Sequence, residues 1–227
     1  MKKVLFALSV LLISCSCINI NVGNGKNIRC KGPVVEKTME GLVDFNAIVA
    51  NGNADIEFSQ ADAFSVVVKA NEEVFEYLDY RVEDGVLIIG TKKNVNLLAE
   101  EYEVYITLPV LESFTVNGAS DVEQKGPYVA DQDLKICING SGELEIGQMS
   151  VPSLRFTLNG ASDLKAIGLE VDELVVSVNG AGDATLSGKA GNVQFSVNGA
   201  ADIDARGLEY DNISTHKAGA ASIRLSK

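Results

Sequence analysis

The chain has no Trp, one His and four Pro in 227 residues, and its 19 Lys and Arg are outnumbered by 31 Asp and Glu. Each shortage removes a class of function. A net charge of −12 leaves no basic stripe to neutralise phosphates, which argues against a nucleic-acid partner. Because His216 is the sole histidine, any Ser-His-Asp triad would have to use it, and no Gly-x-Ser-x-Gly nucleophile elbow accompanies it. No Gly-x4-Gly-Lys-Ser/Thr loop occurs, and no dinucleotide fingerprint lies between a strand and a helix. The spacing of the four cysteines fits no zinc site. No catalytic residue and no cofactor is expected.

Long apolar runs are also scarce. The run from Val4 to Ile13 follows Met1-Lys2-Lys3 and is too short to span a bilayer. It reads as the n-region and h-region of a leader, residues 1–14, ending in Leu12-Ile13-Ser14-Cys15. That ending resembles the lipobox of bacterial lipoproteins, so Cys15 is the expected lipidation site. Cys17 lacks the preceding Leu. A multiply acylated Cys would hold the chain firmly on a membrane. The expected address is therefore the cell envelope, with the outer membrane favoured and the face open. Residues 15–36 read as the lipidated Cys and a flexible tether. Cys17, Cys30 and Cys137 allow at most one disulfide among them.

What the chain has in abundance is glycine, 21 residues, set in a returning phrase. Asn117-Gly118-Ala119-Ser120-Asp121 recurs at Asn139, Asn159, Asn179 and Asn198, with a worn copy at Ala218 and an early copy at Asn51. The steps after Asn117 are near 20 residues, which marks a stacked repeat. Aligned copies give apolar columns. Leu134, Leu154, Leu174, Val193 and Ile213 share one. Ile136, Phe156, Val176, Phe195 and Thr215 share the next, and Ile138, Leu158, Val178 and Val197 a third. Beyond the phrase, Leu144, Leu164, Ala184, Ile203 and Ile223 form a fourth column, and Ile146, Ala166, Leu186, Ala205 and Leu225 a fifth. Apolar residues two apart face one side of a strand. Two short strands and a corner per period predict an all-β fold, a parallel right-handed β-helix-like solenoid over residues 37–227. An antiparallel β-sandwich is the alternative. The stretch from Phe64 to Pro109 breaks the rhythm and reads as an irregular β insert, with a hairpin at Asp84-Gly85 and a helical turn capped by Asn71. Cys137 shares its column with Thr157, Ser177 and Ser196, which predicts an outward-facing free thiol.

The phrase itself has corner chemistry. Gly tolerates positive φ, and the next two places hold only Ala, Ser or Gly. The Asn side chains are placed to form an amide ladder from coil to coil. The acidic row Asp121, Glu143, Asp163, Asp183 and Asp202 either faces water, accepts backbone N–H groups, or holds a cation such as calcium. The first two readings are the simpler.

With the lipobox, the β-rich domain and the repeated Asn-Gly-Ala-Ser/Gly-Asp corner in view, the chain from about Lys37 to Lys227 resembles the auto-transporter adhesin head GIN domain family. The resemblance implies a secreted or lipid-anchored β-helical protein and brings no catalytic residues with it. The expected function is a non-enzymatic binding or adhesion module with a protein or glycan ligand, and Tyr77, Tyr80, Tyr102 and Tyr105 are its aromatic candidates. A carbohydrate-active β-helix enzyme and a self-associating structural envelope component are the alternatives.

Overall fold

The computed structural model describes residues 25–226; the leader, Cys15 and Cys17 lie outside them. Within that span the chain is all-β, with one 3-10 turn at Glu72–Glu76. A 15-stranded sheet carries the repeats. Successive copies pair in parallel and in register. Leu134 lies beside Leu154, Val176 beside Phe195, Leu164 beside Ala184 and Ile203 beside Ile223. The columns drawn from the sequence are therefore ladders of neighbours, and their members are buried until the last coil, where Ile213, Ile223 and Leu225 are only partly so and Thr215 is exposed.

Each coil also has a third short side that its sequence hardly signals. After Ala166 and Thr185 the ladder slips, marking a bend. Beyond it Leu169 and Val171 are buried, aligned with Gly188 and Ala190, and those with Leu208 and Tyr210. One coil earlier Tyr128 lies beside Met149, both buried. With two inward positions per side, this stretch is too short for alternation to stand out.

The corner between the first two sides explains the phrase. Its glycines have positive φ, from 102° at Gly219 to 152° at Gly118. Conformation is only half of the requirement. A Cβ on Gly160 would stand 2.1 Å from the carbonyl oxygen of Gly140 in the neighbouring coil, and one on Gly180 would stand 2.0 Å from that of Gly160. Backbone thus rests on backbone through the stack. Of the two small places that follow, the first is exposed and the second is buried at Ser120, Ser162 and Ala201, which are 3%, 2% and 4% exposed, and half-buried at Gly142, Gly182 and Ala221.

The insert is less irregular than its sequence suggests. Val86–Ile89 pairs in parallel with Ala47–Gly52, and Tyr102–Leu108 with Asp55–Gln60. These strands form a layer ahead of the first copy, on the side away from the second. The second copy, Ser113–Ala119, then pairs on the opposite side of Ala47–Gly52. Spatial order and chain order therefore differ at this end. Antiparallel strands Ser65–Asn71 and Val34–Thr38 extend beyond the added layer. The Asp84-Gly85 hairpin forms as expected, with φ of 50° and 78°.

Three expectations need correction. The tether does not run to residue 36, because Lys26–Cys30 pairs with Val95–Ala99 and Val34–Thr38 with Ser65–Asn71. Edge pairing uses backbone groups, so a polar sequence carries little sign of it. Asn71 makes no side-chain cap. Buried at 2% exposure, it donates to Gly32 O and accepts the N–H groups of Glu100 and Glu101, tying three segments together. Cys137 is disulfide-bonded and 8% exposed, not a free thiol. Its column is as drawn, beside Thr115 and Thr157, but an outward strand position remains open to capture by another segment. Among the described residues, Cys30 is the free thiol, and it is buried.

The glycine contacts yield a paired test. Gly160→Ala should cost about 3 kcal/mol, from positive φ and the clash together. Gly147→Ala, with nothing within 4 Å of the new methyl, should stay within about 0.5 kcal/mol of wild type. Urea unfolding of both variants decides; equal losses would refute the close-approach account.

Candidate functional site

Two surfaces collect polar side chains by repetition, and the corner is the first. The Asn ladder forms: Asn117 donates to Asn51 Oδ1 at 3.0 Å, Asn139 to Asn117 at 2.9 Å, Asn159 to Asn139 at 2.8 Å and Asn179 to Asn159 at 2.9 Å. Asn117, Asn139 and Asn159 are each donor and acceptor at once, and the ladder runs from Asn51 to Asn179, one member short of the expected Asn198. Asn51 and Asn117 are 66 residues apart, yet they are neighbours in it.

The acids of the corner turn their oxygens to the adjacent coil. The N–H of Glu143 donates to Asp121 Oδ1 at 2.8 Å, that of Asp183 to Asp163 at 2.7 Å and that of Asp202 to Asp183 at 3.2 Å. Asp121 N–H donates in the same way to Asp55 at 3.3 Å. Asp202 also pairs with Arg224 at 2.9 Å. The geometry gives these carboxylates backbone work at the corner. Among the described residues, no three His, Cys, Asp or Glu side chains form a group able to hold a metal ion. Burial raises the Asp55 carboxyl above its usual range; the Asp121 N–H opposes this, and the carboxylates of Asp121, Glu103 and Glu101 add to it.

The tyrosines expected as ligand contacts are drawn into structure instead. Tyr80 and Tyr102 share a hydrogen bond of 2.9 Å between their hydroxyls. Burial pushes Tyr102 up to about 12 and raises Tyr80 well above its usual range as well. Tyr105 donates to Glu103 and is held at about 12 by that bond. Glu103 and Glu101 both pair with Lys69 on the adjoining antiparallel strand. Tyr77 packs against the core. These rings do not form an exposed aromatic patch. His216 is exposed, beside Ser196 on the outward column.

The second surface was not anticipated. A groove of about 730 Å³ runs along the stack where the third side meets the next first side. Five coils each contribute three consecutive residues to it: 129–131, 150–152, 170–172, 189–191 and 209–211. At the strand spacing this is about 19 Å of groove. Val151, Val171 and Ala190 are its buried apolar residues, and Tyr210 is the aromatic at one end. Asp131, Glu170, Asp172, Glu209 and Asp211 line it against one cation, Lys189, which lies 3.9 Å from Glu209. Sequence reading overlooked it because its residues belong to the third side, whose pattern is short. The available signal was the recurrence of acid, apolar, acid at Glu170-Val171-Asp172 and acid, aromatic, acid at Glu209-Tyr210-Asp211.

The model of the family described as "Putative auto-transporter adhesin, head GIN domain" matches residues 44–227. A search of curated proteins found no match. Among solved structures, a "putative adhesin" from Parabacteroides distasonis superposes with a TM-score of 0.80 at 22% identity, covering 88% of this chain and 84% of its own. A "putative lipid binding protein" from the same organism gives 0.76 at 22% identity, covering 89% and 100%. A "putative adhesin" from Bacteroides fragilis gives 0.69 at 18%, covering 87% and 99%. At such identities the likeness is one of fold.

The corner yields a pH-dependent test. Asp55→Asn keeps an oxygen for the Asp121 N–H and removes a charge that folding raises in pKa. A carboxyl raised in this way weakens the fold once ionised, so the variant should melt at or above wild type at pH 7 and match it at pH 3. Asp163→Ala, which strips the acceptor from Asp183 N–H, should lose about 1 kcal/mol at pH 7. Thermal unfolding at both pH values reads this out; a loss in Asp55→Asn at pH 7 would contradict it. In the same assay calcium should leave the wild-type melting temperature unchanged, and a rise would reinstate a cation in the row from Asp121 to Asp202.

Proposed function

We propose, since the chain belongs to the auto-transporter adhesin head GIN domain family, that it is a non-enzymatic binding module of the cell envelope, held to the membrane by a lipid on Cys15. The observation that carries the binding role is the groove crossing five coils. A stack gives such a surface length and a fixed period, which suits an extended ligand better than a compact one. Binding fits better than catalysis because the groove's carboxylates recur on alternate coils, and no one coil holds a distinctive set of acid, base and cation.

Anchoring follows from the leader and the lipobox-like Leu12-Ile13-Ser14-Cys15. One structural neighbour bears a lipid-binding description. The acid-lined groove of this chain is a poor match for an anionic headgroup, so lipid enters our reading as the anchor only.

Two measurements test the proposal. Cys15→Ser should abolish incorporation of labelled fatty acid and move the protein from the membrane to the soluble fraction, while Cys17→Ser should do neither. Labelling that persists in Cys15→Ser would overturn the anchor. For the binding role, the full chain in detergent is screened against glycans and envelope extracts. Retention of a component that excess free protein displaces is expected, and failure to retain any component, with turnover of pooled polysaccharides, would replace binding by catalysis.

A further inference from the structure

We infer that the groove binds a cationic peptide segment in the polyproline II conformation, with Lys or Arg at every third residue. The inference rests on the binding-module reading and names the ligand class for that same groove. It starts from the distribution of charge within the groove. On one edge Asp131, Asp172 and Asp211 occupy the first, third and fifth coils, while Pro152 and Gly191 occupy the two between. On the other edge Glu170 and Glu209 repeat the alternation, with Lys189 between them. The third and fifth coils thus each present a pair of carboxylates, one on either side of Val171 or Tyr210.

This period selects among ligand shapes. Two coils span about 9.6 Å. A polyproline II helix advances about 9.3 Å per turn of three residues, so a basic residue at every third place meets successive acidic coils with little accumulated error. A β-strand repeats a face every ~6.8 Å and falls out of step at once. Between the acidic coils, Pro152, Gly191 and Ala190 leave room for the ligand's pyrrolidine rings, and the exposed Lys189 lies toward Glu209. Tyr210, half-buried against the core, still lines the end of the groove with part of a ring, the kind of surface that proline-rich segments dock against. A preformed polyproline II segment also loses little conformational entropy on binding.

The sign of the groove fits the same partner. Five carboxylates face one lysine, and that lysine is drawn toward Glu209. A cationic ligand therefore replaces repulsion among the acids with attraction, and its binding should weaken as salt screens the charges.

The test uses the full chain in detergent and fluorescence anisotropy at low salt. The probe is a labelled peptide of Lys-Pro-Pro triplets long enough to cross five coils. Controls are the same peptide with acetylated lysines, a Lys-Pro-Pro-Pro peptide that shifts the period, and a chitosan oligosaccharide as a cationic glycan. Saturable binding of the triplet peptide is expected. The double variant Asp172→Asn with Asp211→Asn should weaken it about tenfold or more. Asp163→Asn, at the opposite corner, should leave it unchanged, and circular dichroism melts confirm that both variants fold. Equal affinity for the shifted-period peptide, or binding indifferent to the double variant, overturns the inference. If chitosan binds in a manner sensitive to the double variant and the peptide does not, the peptide inference fails while the binding-module reading stands. If neither probe binds but envelope components are still retained, the cationic-peptide inference fails alone and the binding-module reading stands.

Discussion

Backbone lies against backbone at the glycine corner, and the rest of the molecule follows from that contact. With the carbonyl oxygen of Gly140 where a Cβ on Gly160 would be, no side chain can separate the coils there. The spacing between coils is then set by the peptide ladder alone. Only because that spacing is uniform do the amides of Asn51 to Asn179 meet end to end, and the carboxylates of Asp121, Asp163 and Asp183 reach the next N–H. The cost is a column of like charges brought to strand spacing. The hydrogen bonds into that column, and the Arg224 contact at its end, offset part of the repulsion.

Much of this architecture was legible in the sequence because its causes are local and repeated. Five apolar columns, the small residues of the corner and the ladder of Asn all follow from residues at fixed spacing. Family membership rests on the same features. What escaped had other causes. The third side has only two inward positions per coil, and Gly188 occupies one of them, so no alternation accumulates. The layer of Val86–Ile89 and Tyr102–Leu108 is built by long-range pairing out of chain order, which leaves no periodic trace. Asn71 resembles a helix cap by position, but its surroundings supply three backbone partners from distant segments, and those win.

The candidate site divides in the same way. The acidic row was visible as chemistry and turned out to serve the corner. The tyrosines were visible as aromatics and turned out to be bonded to one another or to carboxylates. The groove was invisible because no single triplet in it is distinctive. It becomes a surface only when five coils are laid side by side, when Asp131, Asp172 and Asp211 fall on one line. Function in a stacked fold is written across the chain direction, along an axis that one-dimensional reading does not sample.

The layer placed out of order gives the stack a beginning. By Leu108 the chain has already closed one end: two layers are paired and antiparallel strands lie across them. Every later coil has a finished edge waiting for it, and joins it after about one period of new chain, for which loop closure is cheap. The one long excursion, between Asn51 and Asn117, is completed before the regular coils are needed. For a polypeptide synthesised amino end first, growth is thereby polarised, with the template delivered first and the repeats laid onto it in the order in which they arrive.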